Sequence, residues 1–304
     1  MVDNRQWGQV EDCAEISLFK RWFNRRLREM AIAHKFSPFV LRMHLLPTWV
    51  FWSLAANGVL VVVVGISLWR QAGLPAPTRL SNPAEAAAVS FDDSSRLGYQ
   101  QSLGQLKDDA QLITVLKPKH LAILAGDSLS LRFPPEKLSE YQVLNQGISG
   151  ETTAGLLKRL NVFDQTQPDV IFVMIGINDL LRGRSDSEIL DDQQRVIKNL
   201  KATHPQAKIV MQSVLPHALE QVTWEGRDRL LAIPNQRIKA LNEGMEAIAQ
   251  AESVNFFNLY PFFADSQGNL RRELSSDGLH LSTQGYEVWG IALQVYGEEV
   301  LNQK

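Results

Sequence analysis

The chain has 304 residues, 45% apolar and 21% charged, long enough for one large domain with extensions and too apolar for a disordered polymer. Its formal net charge of −2 offers no electrostatic footprint for nucleic acid. A single cysteine, Cys13, excludes an intramolecular disulfide and a cysteine-based zinc site, and the six histidines lack metal-ligand spacing, so no metal and no other cofactor is expected.

Residues 1–44 form a basic N-terminal segment, in which residues 20–42 carry Lys20, Arg21, Arg25, Arg26, Arg28, Lys35 and Arg42 against Glu29 alone. Lys20 to Met30 has the pattern of a basic amphipathic helix, although the charges also serve simply as a topology signal. From Leu45 to Trp69 no residue is charged, and Trp49, Trp52 and Trp69 lie near the two ends. About 20 apolar residues span a bilayer core, so 45–69 is expected to be a transmembrane helix. A buried core helix or a cleaved signal peptide fits the length and flanks less well. The charge asymmetry places the N-terminus in the cytoplasm and the remainder outside it, in a periplasm or its equivalent.

Residues 70–95 are rich in Pro, Ala and Ser and are expected to be a spacer, with Pro75, Pro77 and Pro83 preventing a long helix. Residues 96–118 form a helical lead-in, since Leu97, Leu103, Leu106, Ala110 and Ile113 recur near one face between Arg96 and Val115. From 119 to 304 the pattern alternates. Strand-like runs fall at His120–Ala125, Tyr141–Asn145, Val170–Ile175, Lys208–Val214 and Val254–Leu259. Helix-like stretches fall at Glu151–Leu160, Ser187–Thr203, Pro234–Gln250 and Thr283–Leu301. Repeated βα alternation with near-continuous apolar strands predicts an α/β fold with a central parallel sheet of about five strands. Such sheets carry their sites beyond the C-terminal ends of the strands.

Four short motifs occupy informative places. Gly126-Asp127-Ser128-Leu129-Ser130 follows the first strand, and Gly147-Ile148-Ser149-Gly150 the second. Gly176-Ile177-Asn178-Asp179 follows the third, and Asp277-Gly278-Leu279-His280 lies near the far end. Alone, each is an ordinary turn. Together they contain a serine nucleophile, a histidine base, an aspartate to orient it and amides for an oxyanion. Ser128 is expected on an exposed strand-to-helix turn, with Asp127 bracing that turn rather than reacting. Gly150 competes with Gly147 as the close-approach amide. Asp277 and His280, three apart, are expected on one face of a helical turn. His217, after the fourth strand, is a rival base without a carboxylate at comparable spacing, and so a pocket-lining residue at best.

These blocks resemble the SGNH hydrolases, also called GDSL esterases and lipases, across 119–304. Gly176 to Gly183 is similar to the thioesterase and lysophospholipase branch, and Asn145 to Gly150 to the platelet-activating-factor acetylhydrolase catalytic subunits. The resemblance implies a flavodoxin-like three-layer α/β/α sandwich. It further implies Ser128, His280 and Asp277 in catalysis, with an oxyanion hole from the Ser128 amide, Gly150 and Asn178. The expected activity is hydrolysis of a small-molecule or lipid acyl ester, lysophospholipid included, through an acyl-enzyme. Deacetylation or acyl transfer on surface glycans and a catalytically silent binding domain are the alternatives. Leu129, Leu181, Arg182 and His217 are candidate substrate contacts, 216–233 is long enough for a lid, and Phe262 and Phe263 are candidates for an acyl site.

Overall fold

The computed structural model describes residues 83–219 and 222–301. The basic N-terminal segment, the apolar run 45–69, the first part of the spacer and Cys13 lie outside the described residues. Among the described residues no helix is long and apolar enough to cross a membrane.

Helix α1 spans Pro83–Leu116, so it takes in the expected lead-in but begins inside the stretch read as spacer. Pro83 opens the helix rather than blocking it. A proline at the first helical position gives up an N–H that would lack an intrahelical acceptor anyway, and the alanines that follow are strong helix formers. Leu106, Ala110 and Ile113 are buried, whereas Leu97 is 71% exposed. The Leu106 carbonyl accepts from the buried Gln146 Nε2 at 3.2 Å. The C-terminal half of α1 is therefore packed on the domain and is not a free stalk.

Five strands follow: β1 Leu121–Gly126, β2 Gln142–Gly147, β3 Val170–Met174, β4 Lys208–Gln212 and β5 Asn255–Phe257. They form one sheet in the order β2-β1-β3-β4-β5, and every pairing is parallel. This is the flavodoxin-like order. All residues of β1 and β3 are buried, as expected where helices cover both faces. Gly126 pairs with Gly147 on one side and Met174 on the other. The segments leaving β1, β2 and β3 therefore emerge side by side at one edge.

The helices between strands are α2 Ser128–Leu131, α3 Thr153–Arg159, α4 Ile177–Leu181, α5 Asp186–Thr203, α6 Arg227–Leu231 and α7 Asn235–Ala251. α8 Tyr260–Phe263 follows β5, and α9 Thr283–Tyr296 closes the domain. α5 opens on a capping box, with the Ser185 side chain taking the Glu188 N–H and Glu188 returning to the Ser185 N–H, which satisfies two orphan donors. α9 stops at Tyr296, short of the expected Leu301, and passes into one wide π turn over Gly297–Leu301.

Trp289 of α9 is fully buried. Its ring meets Phe133 edge-on at 5.0 Å, and its Nε1 donates to Gln212 Oε1 at 2.8 Å. Trp289→Ala should cost about 3–5 kcal/mol in urea unfolding. Trp289→Phe, which leaves the Gln212 oxygen without its donor, should cost about 1–3 kcal/mol. Equal stability of Trp289→Phe and the parent would show that the hydrogen bond contributes nothing.

Candidate active site

The Gly126-Asp127-Ser128 turn is set by steric demand. A Cβ on Gly126 would sit 2.2 Å from the Met174 carbonyl oxygen and 2.4 Å from Ser130 Oγ, so only glycine lets β1 close against β3 here. Asp127 caps α2, its Oδ1 accepting from Leu129 N at 2.9 Å, which is the bracing role its place in the turn suggests. Ser128 is the first residue of α2, so its N–H has no intrahelical acceptor. The expectation of an exposed hydroxyl needs correction, because Ser128 is only 7% exposed. α2 is held down by the Tyr286 hydroxyl, which donates to the Leu129 carbonyl at 3.1 Å.

Ser128 Oγ lies 3.1 Å from His280 Nε2, and His280 Nδ1 lies 2.7 Å from Asp277 Oδ2. Residues 152 apart in sequence thus form one line of hydrogen bonds. The local means differ from the expected helical turn, since 276–280 is a bend. Asp277 Oδ1 accepts from the backbone N–H of Leu279 at 2.9 Å and of His280 at 2.7 Å. This Asx-type turn brings the carboxylate and the imidazole together without a helix. Burial works against the Asp277 carboxylate, but the His280 side chain and the two backbone donors outweigh it and hold its pKa below the usual value. Gly278 has φ +92°, and a Cβ there would lie 2.7 Å from Val222 Cα.

That contact explains part of segment 216–233. Ala218 N donates to the Gly278 carbonyl at 2.9 Å, and Thr223 N and Trp224 N donate to the Asp277 carbonyl at 2.9 and 3.1 Å. The described residues of this segment, long enough for a lid, act as a strap that fixes the Asp277–His280 bend.

The two candidate oxyanion groups sit on the connections after β2 and β3, which flank the one carrying Ser128. Glu151 N donates to the Ile148 carbonyl at 3.2 Å, closing a turn in which Gly150 has φ +74°. Ser149 is not among the residues with positive φ, so the turn is of type II, with glycine at its third position. The Gly147 N–H donates to Asn145 Oδ1 at 2.9 Å, so of the two glycines Gly150 is the candidate for the close-approach amide. Asn178 lies in α4, and its Nδ2 is 3.5 Å from Asp127 Oδ2. Asp179, the last residue of the same motif, is fully buried. Its Oδ2 accepts from Thr153 N at 2.8 Å and Thr153 Oγ1 at 3.0 Å, and its Oδ1 from Arg184 at 2.9 Å. It thereby staples the connection carrying Asn178 to the helix that follows Gly150.

The proposed substrate contacts separate. Arg182 is exposed, and its Nη2 donates to the Gly150 carbonyl at 2.9 Å. His217 is fully buried. Its Nε2 lies 2.6 Å from the Ile233 carbonyl, and its backbone exchanges hydrogen bonds with the Asn235 side chain. It ties the segment that follows β4 to the start of α7. Leu129 and Leu181 are buried, and Phe263 is fully enclosed in the core. Phe262 packs on Phe257 at 6.2 Å.

Asp127 is fully buried, and burial first, then the nearby carboxylates of Asp179 and Glu151, push its pKa up to about 7, against the Leu129 backbone donor. A carboxyl whose native pKa is raised holds its proton in the folded state after the unfolded state has lost it. Its contribution to stability therefore falls as pH rises from about 4 to about 7. Asp127→Asn should flatten that fall in urea unfolding followed across this range; an unchanged pH profile would place the titration elsewhere.

The family model of GDSL-like lipases and acylhydrolases matches residues 124–288. An N-acylneuraminate cytidylyltransferase of Streptococcus agalactiae serotype III is 27% identical over 179 residues, 59% of this chain and 39% of its own length. The platelet-activating factor acetylhydrolase IB subunit alpha1 of Bos taurus is 26% identical over 153 residues, 50% of this chain and 61% of its own. The chain thus spans less than two thirds of these curated relatives. Among solved structures, a Streptococcus pneumonia protein provisionally described as a platelet activating factor superposes with TM-score 0.61 at 24% identity. It covers 69% of this chain and 98% of its own. A GDSL-like lipase of Bacteroides thetaiotaomicron gives TM-score 0.51 at 22% identity, over 59% and 88%. These superpositions show a shared fold. With a family match running from the first strand into the last helix, over four motifs gathered at one edge of the sheet, the chain belongs to the GDSL-like lipase/acylhydrolase family, the SGNH hydrolases.

Proposed function

We propose that this chain is a serine ester hydrolase in which Ser128, His280 and Asp277 act in sequence. The observation that carries the reading is the line Ser128 Oγ–His280 Nε2 at 3.1 Å and His280 Nδ1–Asp277 Oδ2 at 2.7 Å. Ser128 Oγ attacks the acyl carbonyl while Nε2 takes its proton. Asp277 holds the ring with Nδ1 protonated and stabilises the imidazolium. The carbonyl oxygen becomes an oxyanion, received by the N–H groups of Ser128 and Gly150 and by Asn178 Nδ2. Collapse expels the alcohol, which takes the proton from Nε2 and leaves an ester on Ser128. Water, deprotonated by Nε2, then attacks that ester, and a second collapse breaks the bond to Ser128 Oγ, which takes the proton back from Nε2 as the carboxylic acid leaves.

Arg182 belongs to this account as a brace on the Gly150 turn that also faces solvent. The enclosure of Leu129, Leu181 and Phe263 leaves these side chains little surface for a long acyl chain, which favours short acyl esters over lysophospholipid. Removal of acetyl groups from surface glycans is the second reading that the same enclosure favours. The uncharged stretch 45–69 and its basic N-terminal flank support a membrane anchor with the hydrolase domain on the extracytoplasmic side.

The full chain, purified in detergent, should hydrolyse 4-nitrophenyl esters with a rate falling from acetate to palmitate. Ser128→Ala should lower kcat by roughly 10⁴-fold or more, and Asn178→Ala by about 10²–10³-fold. Hydrolysis that survives Ser128→Ala would refute the nucleophile. Full activity in Asn178→Ala would remove that residue from the oxyanion hole, and a preference for palmitate would restore the lipid substrate.

A further inference from the structure

Beneath the Gly150 turn lies a buried ion pair that the mechanism above does not use. Glu151 and Arg159 have side chains 4% and 3% exposed, and Arg159 Nε meets Glu151 Oε2 at 2.7 Å. A buried pair is a poor source of stability, because removing both charges from water offsets most of their attraction. What this pair does provide is convergence. Arg159 Nη2 donates to the Gly126 carbonyl at 3.2 Å and to the Gln146 carbonyl at 2.9 Å. One guanidinium thus holds the end of β1, two residues before Ser128, the end of β2, and the last residue of the Gly150 turn. Glu151 Oε1 also accepts from Thr152 N at 3.1 Å. A Cβ on Gly155 would lie 1.8 Å from that oxygen, so α3 carries glycine where the carboxylate folds over it.

A third side chain joins the pair from α1. The hydroxyl of Tyr99, on α1, donates to Glu151 Oε2 at 3.2 Å. Burial and then the Glu151 carboxylate raise the phenol pKa above its usual value, so it remains a donor at neutral pH. The same helix is anchored at Leu106 by Gln146, whose carbonyl Arg159 holds. We propose that Tyr99 is a positioning residue for catalysis. Acting through the Glu151–Arg159 pair, α1 fixes the Ile148–Glu151 turn in the conformation that offers the Gly150 N–H to the reacting carbonyl. The pairing also matters for charge. A lone carboxylate one residue from Gly150 would oppose negative charge developing on the substrate oxygen, and Arg159 cancels it.

The inference rests on the ester-hydrolase reading, and the test separates the two. Full-length wild type and Tyr99→Phe, which loses only the hydroxyl, are compared per active serine, titrated with a fluorophosphonate. The substrate is 4-nitrophenyl acetate, and the inhibitor is a trifluoromethyl ketone whose hemiketal oxyanion occupies the same donors. Tyr99→Phe should lower kcat by about three- to tenfold, the size expected for one partly buried hydrogen bond to a charged group. KM should hold within about twofold, and inhibitor affinity should weaken in proportion to kcat/KM. A purely structural role would lower the melting temperature or the titratable fraction and leave both constants unchanged per active serine, which overturns the proposal. Unchanged inhibitor affinity beside a lowered kcat overturns it too. Wild-type turnover insensitive to Ser128→Ala would instead bring down the hydrolase reading, and the role of Tyr99 with it.

Discussion

The register of β1 between β2 and β3 is the constraint on which the site depends. Gly126 stands beside Gly147 and Met174, so three connections leave the sheet at one height within a few strand spacings, each about 4.8 Å. Parallel strands make this unavoidable, since all their C-terminal ends lie on one side. The glycines are the local condition for the crowding. Gly126 avoids Met174 and Ser130, and Gly147 avoids the Leu131 backbone, which a Cβ would approach to 2.3 Å. A shift of one residue in either pairing would reverse every side chain of the strand and separate Ser128 from the Gly150 turn.

The acid–base side arrives by a different route. Asp277 and His280 sit on no regular element, yet the distances along Ser128, His280 and Asp277 are those of ordinary hydrogen bonds. An irregular bend holds such geometry only when its backbone groups are satisfied elsewhere. Here the strap from 218 to 224 supplies three N–H donors to the Asp277 and Gly278 carbonyls, and the Asp277 side chain takes two more from the bend itself. The described residues of the long connection after β4 thus support the bend that carries His280, and the closeness of Gly278 to Val222 leaves little room to slide.

The fold was legible in the sequence because its signals are local. β1 and β3 are short continuous apolar runs, and the helices between them keep a 3.6-residue period, so the layers and their order of connection could be read with small errors at the ends. The places of Ser128, Gly150 and Asn178 beyond the first three strands were legible for the related reason that the strand-like runs end just before them. The rest depends on partners distant in sequence. Arg159 looks like a solvent-facing residue of α3, and its burial follows from three carbonyl and carboxylate partners that no periodicity reveals. His217 sits at a strand end like a site residue, but Asn235 and the Ile233 carbonyl consume its hydrogen bonds. Asp277 and His280 were found by type and spacing while the bend that joins them was mistaken for a helical turn. Pro83 was read as a breaker where it starts α1.

The central claim is that Ser128 is the activated nucleophile, made so by His280 and Asp277. The most direct measurement is mass spectrometry of the full chain after reaction with a fluorophosphonate, with the adduct located by peptide mapping. The account predicts a single adduct on the peptide containing Ser128, formed much more slowly in His280→Ala and absent in Ser128→Ala. An adduct on another serine, or labelling of Ser128 at an unchanged rate in His280→Ala, would contradict it.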